Sequence, residues 1–102
     1  MNLLRQMILL ELKRNHLMQE EYEYKIEDLP KGTVISKKVG NNEYFYLKYR
    51  NGKKTVTDYI GRDISKVEDI VKQINKRRHF EKMLLELKKE SKVIDKLAGG
   101  NL

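Results

Sequence analysis

The run Glu43-Tyr44-Phe45-Tyr46-Leu47-Lys48-Tyr49-Arg50, followed by Asn51-Gly52, constrains this chain more than any other feature. Aromatic rings at Tyr44, Phe45, Tyr46 and Tyr49 suit the half-buried pleat of a strand and not a solvated helix. Asn-Gly is the pair that a two-residue type I′ hairpin asks for, because both central positions need φ > 0. A partner strand is therefore expected at Lys53-Lys54-Thr55-Val56-Thr57-Asp58-Tyr59-Ile60, ended by Gly61. Upstream, Thr33–Val39 has the β-branched content of a first strand, and Gly40-Asn41-Asn42 reads as the intervening turn. Leu29-Pro30-Lys31-Gly32 turns the chain into this meander.

Helices flank the meander on both sides. Residues 2–20 read as an amphipathic helix whose stripe is Leu3, Leu4, Met7, Ile8, Leu12, Leu17 and Met18. Leu9 and Leu10 widen that stripe, so the helix must bury itself on the sheet, a second helix or another copy. The stretch from Gln19 to Asp28 is acidic and carries Tyr22 and Tyr24. After the sheet, Ser65-Lys66-Val67-Glu68 matches a capping box that opens a long helix. Val67, Ile70, Val71 and Ile74 form one stripe, broken at Lys76-Arg77-Arg78-His79. Phe80, Leu84, Leu87, Ser91, Ile94 and Ala98 resume it at heptad-like spacing. The six-residue step from Ile74 to Phe80 turns the apolar face by roughly 120°. The first stripe is thus expected on the sheet, and the second on the N-terminal helix or a partner chain. The expected fold is α+β: an N-terminal amphipathic helix (1–21), a basic three-stranded antiparallel sheet (22–64), and a long helix with coiled-coil spacing (65–98).

Composition removes several kinds of chemistry. The 102 residues contain no Cys, which excludes disulfides, thiolate metal sites and cysteine nucleophiles. His16 and His79 lie far apart in sequence, and no paired carboxylates, Gly-rich phosphate loop or nucleophile–base ordering is present. Lys31-Gly32-Thr33 lacks the upstream Gly of a phosphate loop. The expectation is a protein that is not an enzyme and needs no cofactor or metal. Residues 1–12 are interrupted by Arg5, Gln6 and Glu11 and lack a cleavage site, so neither a secretory leader nor a membrane span is expected, and a cytoplasmic location is.

Charge is unevenly spread. The chain has 22 Lys and Arg against 15 Asp and Glu, a net +7. Residues 1–29 are net −2, residues 30–62 net +6, and residues 63–102 net +3. Such a focused field favours a polyanionic partner.

The hairpin then sorts the side chains. With Asn51-Gly52 as the turn, Arg50 opposes Lys53, Lys48 opposes Thr55, Tyr46 opposes Thr57 and Tyr44 opposes Tyr59. Phe45, Leu47, Tyr49, Val56 and Ile60 share the core face. Tyr44, Tyr46, Lys48, Arg50, Lys53, Thr55, Thr57 and Tyr59 share the other, which has no acid. A narrow basic sheet of this kind fits a DNA major groove, and its rings also suit stacked single-stranded bases. The competing expectation is that the N-terminal helix covers this face, with the rings as packing and the cations reaching outward. Arg77 and Arg78 form a second candidate phosphate contact. Their alternative is a solvated helix face, with Arg77 paired to Glu81.

The pattern Leu29-Pro30-Lys31-Gly32-Thr33-Val34, Tyr44 to Arg50, Asn51-Gly52-Lys53-Lys54 and Tyr59-Ile60-Gly61-Arg62 resembles a family of small uncharacterised proteins of bacteria and mobile elements, over about residues 22–97. Its layout is similar to the arm-type DNA-binding domain of tyrosine recombinases, a three-stranded sheet backed by a helix. The resemblance implies that the face bearing Tyr44, Tyr46, Lys48, Arg50, Lys53, Thr55 and Thr57 is the docking face. The Leu-rich first helix, the long second helix and the lack of a catalytic domain set this chain apart from a recombinase. The expected function is a nucleic-acid-binding module of a phage or mobile element, with duplex DNA favoured over RNA. The alternatives are an inhibitor or accessory protein on a host nucleoprotein, as anti-CRISPR proteins are, or a coiled-coil interaction protein. A homodimer through the C-terminal helix is the expected assembly if its stripe finds no partner in the chain.

Overall fold

The computed structural model describes residues 2–99. Its elements run α1 (Leu3–Glu27), β1 (Thr33–Val39), β2 (Asn42–Asn51), β3 (Lys54–Gly61) and α2 (Ile64–Leu97). The sheet is an antiparallel meander of order β1-β2-β3. The α+β fold and the order of its parts are those expected.

The chain divides into two compact units, and the division falls inside α2 and not at its start. One unit holds residues 29–78, the other the residues up to Asp28 together with those from His79 on. In the first unit the buried side chains are Ile60, Val67 and Ile74. They join the half-buried Val34, Phe45, Leu47, Tyr49, Val56 and Ile70 as the core between the inner sheet face and the first turns of α2.

In the second unit α1 and the later part of α2 run antiparallel. The Tyr22 and Phe80 rings lie 5.5 Å apart, and Asn15 Nδ2 donates to the Leu87 carbonyl at 2.9 Å. Ile8 and Ile94 line one groove at the far end. The seam of α1 is therefore Ile8, Leu12, Asn15, Gln19, Tyr22 and Ile26, an alternation of four- and three-residue steps. Leu3, Leu4, Met7 and Leu17, expected in that seam, are exposed. The heptad continues through the acidic stretch, which is why the helix runs to Glu27 and not to 20. The second stripe of α2 thus has its partner within the chain.

Asn15 is 2% exposed, and its Oδ1 accepts from Gln19 Nε2 at 2.7 Å. A buried amide that bonds a specific carbonyl ties the two helices to one register. Asn15→Asp removes the donor and buries a carboxylate beside that carbonyl. The expected cost is about 3 kcal/mol or more at neutral pH. Urea unfolding should show partial recovery when acid protonates the new carboxyl, because the protonated form is neutral and can donate again.

Two local readings are corrected. The long helix is capped by Asp63, not by Ser65. Asp63 Oδ1 accepts from the Ser65 N–H at 3.0 Å and its carbonyl from the Val67 N–H at 3.1 Å. Asp is as strong a cap as Ser, and it stands two positions earlier.

The second hairpin turns on Gly52-Lys53, with Asn51 paired to Lys54. Gly52 has φ +64°, and no described non-Gly residue has positive φ, which is the pattern of a type II′ turn. Gly40-Asn41 closes the first hairpin in the same way, with φ +63° at Gly40. Glycine at the first central position decides between the two turn types, because Asn51 then stays in extended backbone. Gly52→Ala should cost about 1–2 kcal/mol, the penalty of a left-handed Cβ, since open space surrounds the position. Asn51→Ala should be close to neutral. Thermal melts of the two single variants check the assignment.

Candidate nucleic-acid interface

The turn shifts the β2–β3 register by two residues, so Lys48 opposes Thr57 and Arg50 opposes Thr55. A two-residue shift preserves which side each residue faces. The outer face therefore keeps Tyr44, Tyr46, Lys48, Arg50, Thr55, Thr57 and Tyr59. Lys53 leaves it, because it occupies the turn.

A bulge then departs from simple alternation. Tyr46 pairs with Tyr59 and Phe45 with Gly61, leaving Ile60 as the extra residue, buried in the core. The register set by the turn gathers three rings just before the bulge. Tyr59 lies 5.4 Å from Tyr46 and 6.4 Å from Tyr44, both tilted, and remains 60% exposed. Tyr44 and Tyr46 are half-buried against it.

The first strand adds residues that the sequence did not single out. Thr33 opposes Lys48, Ile35 opposes Tyr46 and Lys37 opposes Tyr44. Lys37 Nζ sits 5.0 Å from the Tyr46 ring centroid. Arg62, just after β3, places its guanidinium carbon 5.7 Å from the Tyr44 ring and donates to Asn42 Oδ1 at 2.7 Å. Lys37 was findable: reading Gly40-Asn41 as a two-residue loop sets the β1–β2 register. Arg62 was not, because its reach across to Tyr44 depends on the bulge.

The face has two zones. At one end stands the tyrosine cluster, flanked by Lys37 and Arg62. At the other is a shallow groove of about 600 Å³, lined by Gly32, Thr33, Ile35, Lys48, Arg50 and Thr55, among others. Among the described residues neither Lys48 nor Arg50 has a carboxylate partner. The acids of these strands, Glu43 and Asp58, alternate to the other side. Asp58 is further engaged by Tyr49. The hydrogen bond from the Tyr49 hydroxyl, with partial burial and the Asp58 charge, pushes the phenol pKa upward.

Arg77 and Arg78 each bond a backbone carbonyl within the unit. Arg77 Nη1 donates to the Leu29 carbonyl, and Arg78 Nη2 to the Gly32 carbonyl at 3.2 Å. Both guanidinium groups tie α2 to the segment that leads into β1. Within its own unit, α1 lays its seam against Phe80, Leu87 and Ile94, and on the sheet Lys37, Lys48, Arg50, Thr55 and Thr57 are exposed.

A family model described as a domain of unknown function (DUF6788) matches residues 5–70, more than half of the chain. The chain belongs to this family. The matched span takes in most of α1, the whole sheet and the opening turns of α2. The matched span thus includes the entire outer face. No curated protein and no solved structure matches the chain. Among the described residues no helix is long and apolar enough to cross a membrane.

Proposed function

We propose that this protein is a non-enzymatic nucleic-acid-binding module that lays the outer face of its sheet on duplex DNA. One observation carries the reading: a single exposed face gathers Lys37, Lys48, Arg50, Arg62, three tyrosines and three threonines with no carboxylate. Cations and hydroxyls of this kind bond phosphate oxygens, and a two- or three-stranded ribbon is narrow enough for the major groove. The recombinase-like layout supports the same docking face. In a chain from a phage or other mobile element, such a module would position a nucleoprotein on its DNA. The Tyr44/Tyr46/Tyr59 cluster favours one other mode, stacking on unpaired bases.

Fluorescence anisotropy with duplex DNA, single-stranded DNA and structured RNA, each at two salt concentrations, tests the proposal. The expected result is tightest binding to duplex, weakening steeply with salt as counterions are released. Tightest binding to single strands would move the site to the stacking mode. Absence of salt-dependent binding to all three would overturn the reading.

A further inference from the structure

Helix α1 carries a second apolar seam that stays largely exposed, with Met7 alone bordering the groove that Ile94 and Leu97 of α2 line. Leu3, Met7, Leu10, Arg14, Leu17, Glu21 and Tyr24 follow strict four- and three-residue steps. This series lies five residues out of phase with the one that meets α2, about 140° round the helix at 100° per residue. Its apolar members are 74%, 66%, 66%, 57% and 71% exposed in the order Leu3, Met7, Leu10, Leu17, Tyr24. The Arg14 and Glu21 side chains are 66% and 63% exposed. A solvated helix face has no reason to hold a leucine or an aromatic at every seventh position.

We infer that this seam is the interface between two copies of the chain, with their α1 helices packed antiparallel about a twofold axis. Charge selects the occupant and the direction. Residues 3–16 of α1 hold Arg5, Lys13 and Arg14 against Glu11, whereas residues 17–28 hold five acids against Lys25. Antiparallel copies lay the basic half of each helix along the acidic half of the other. The core layers then become Met7 on the partner's Tyr24, Arg14 on the partner's Leu17, and Glu21 on the partner's Leu10. At the flanks Lys13 faces the partner's Glu20, and symmetry repeats that pair. A parallel pair would instead stack Arg14 on the partner's Arg14 and Glu21 on the partner's Glu21, which like-charge repulsion opposes. Two charged positions in seven keep the seam weak enough to be soluble, so assembly should depend on concentration. This inference is independent of what the sheet face binds.

Sedimentation equilibrium on the full chain, from low micromolar to submillimolar concentration, reads the assembly. The expected result is a shift from one to two chain masses. Leu10→Glu with Leu17→Glu should leave a monomer with unchanged helical circular dichroism. Lys13→Glu alone and Glu20→Lys alone should each weaken the dimer, and the two together should restore it. Because the chain has no native Cys, oxidative cross-linking reads direction directly. Arg14→Cys with Leu17→Cys should cross-link the dimer, and Leu10→Cys should not. A monomer at every concentration overturns the inference, as does a dimer that survives both glutamates or a cross-link through Leu10→Cys.

Discussion

Changing Lys37, Lys48 and Arg50 together to Ala is expected to abolish most of the salt-dependent affinity for duplex DNA while leaving the fold intact. The three side chains project from the outer face, opposite the core residues Phe45, Leu47 and Val56, and all three are exposed. Each lost phosphate contact should reduce the magnitude of the log–log salt slope by about 0.9 on duplex DNA. The control is Lys88→Ala, Lys89→Ala and Lys92→Ala, which removes the same charge from the later part of α2. If only net charge mattered, the two triples would weaken binding alike. The sheet-face reading expects the first to be far more damaging, and equal effects would refute it. Tyr59→Ala separates the two binding modes. On a single strand it should remove about 1–3 kcal/mol of stacking per base lost, with little change in salt slope. On a duplex its effect should be confined to sequence preference.

Gly32→Ala is the substitution expected to damage the fold most. A Cβ built at Gly32 would lie 2.3 Å from the Lys48 carbonyl oxygen and 2.8 Å from Tyr49 Cβ. The first of these is backbone of the central strand, so no side-chain rotation relieves the clash. The residue also has φ +115°, which L side chains rarely adopt. Relief requires β1 to move away from β2 at its first pair, where Thr33 opposes Lys48. It would also shift the carbonyl that accepts from Arg78. Backbone strain plus the lost ladder and clamp bonds should cost about 3–4 kcal/mol. The measurement is the urea midpoint at unchanged m-value, compared with Gly52→Ala, where open space leaves only the φ penalty. A loss no larger than that of Gly52→Ala would mean that the close approach of Gly32 to β2 is wrong. The same groove is lined by Lys48 and Arg50, so the variant should lose DNA affinity wherever it still folds.

Much of this architecture follows from local chemistry. Aromatic and β-branched runs set three strands, glycines at 40 and 52 set their turns, and period-two alternation assigned Tyr44, Tyr46, Lys48, Arg50, Thr55 and Thr57 to one side. The type II′ turn moves the register by two and takes Lys53 off that face, but the other assignments stand because only an odd shift reverses a strand's faces. The break in the long helix at residues 76–79 likewise announced that α2 serves two different cores, since a rotated stripe cannot face one neighbour along its whole length.

What the tertiary structure decided are the choices between partners. A Leu-rich helix with apolar residues on two sides does not say which side the chain itself will cover. The seam through Ile8, Asn15 and Tyr22 won because α2 offers Leu87, Phe80 and Ile94 at matching steps and a carbonyl for the buried Asn15 amide. Leu3, Leu10 and Leu17 were left outside. That Arg77 and Arg78 reach the Leu29 and Gly32 carbonyls, which lie 48 and 46 residues away in sequence, is likewise set only by the fold. The Gly52-Lys53 turn sets Tyr59 opposite Tyr46, and the bulge at Ile60 lets Arg62 reach Tyr44, of which alternation alone contains no sign. Local sequence specifies elements and faces through interactions a few residues apart. Which face meets which is a competition among distant segments, and only the folded chain resolves it.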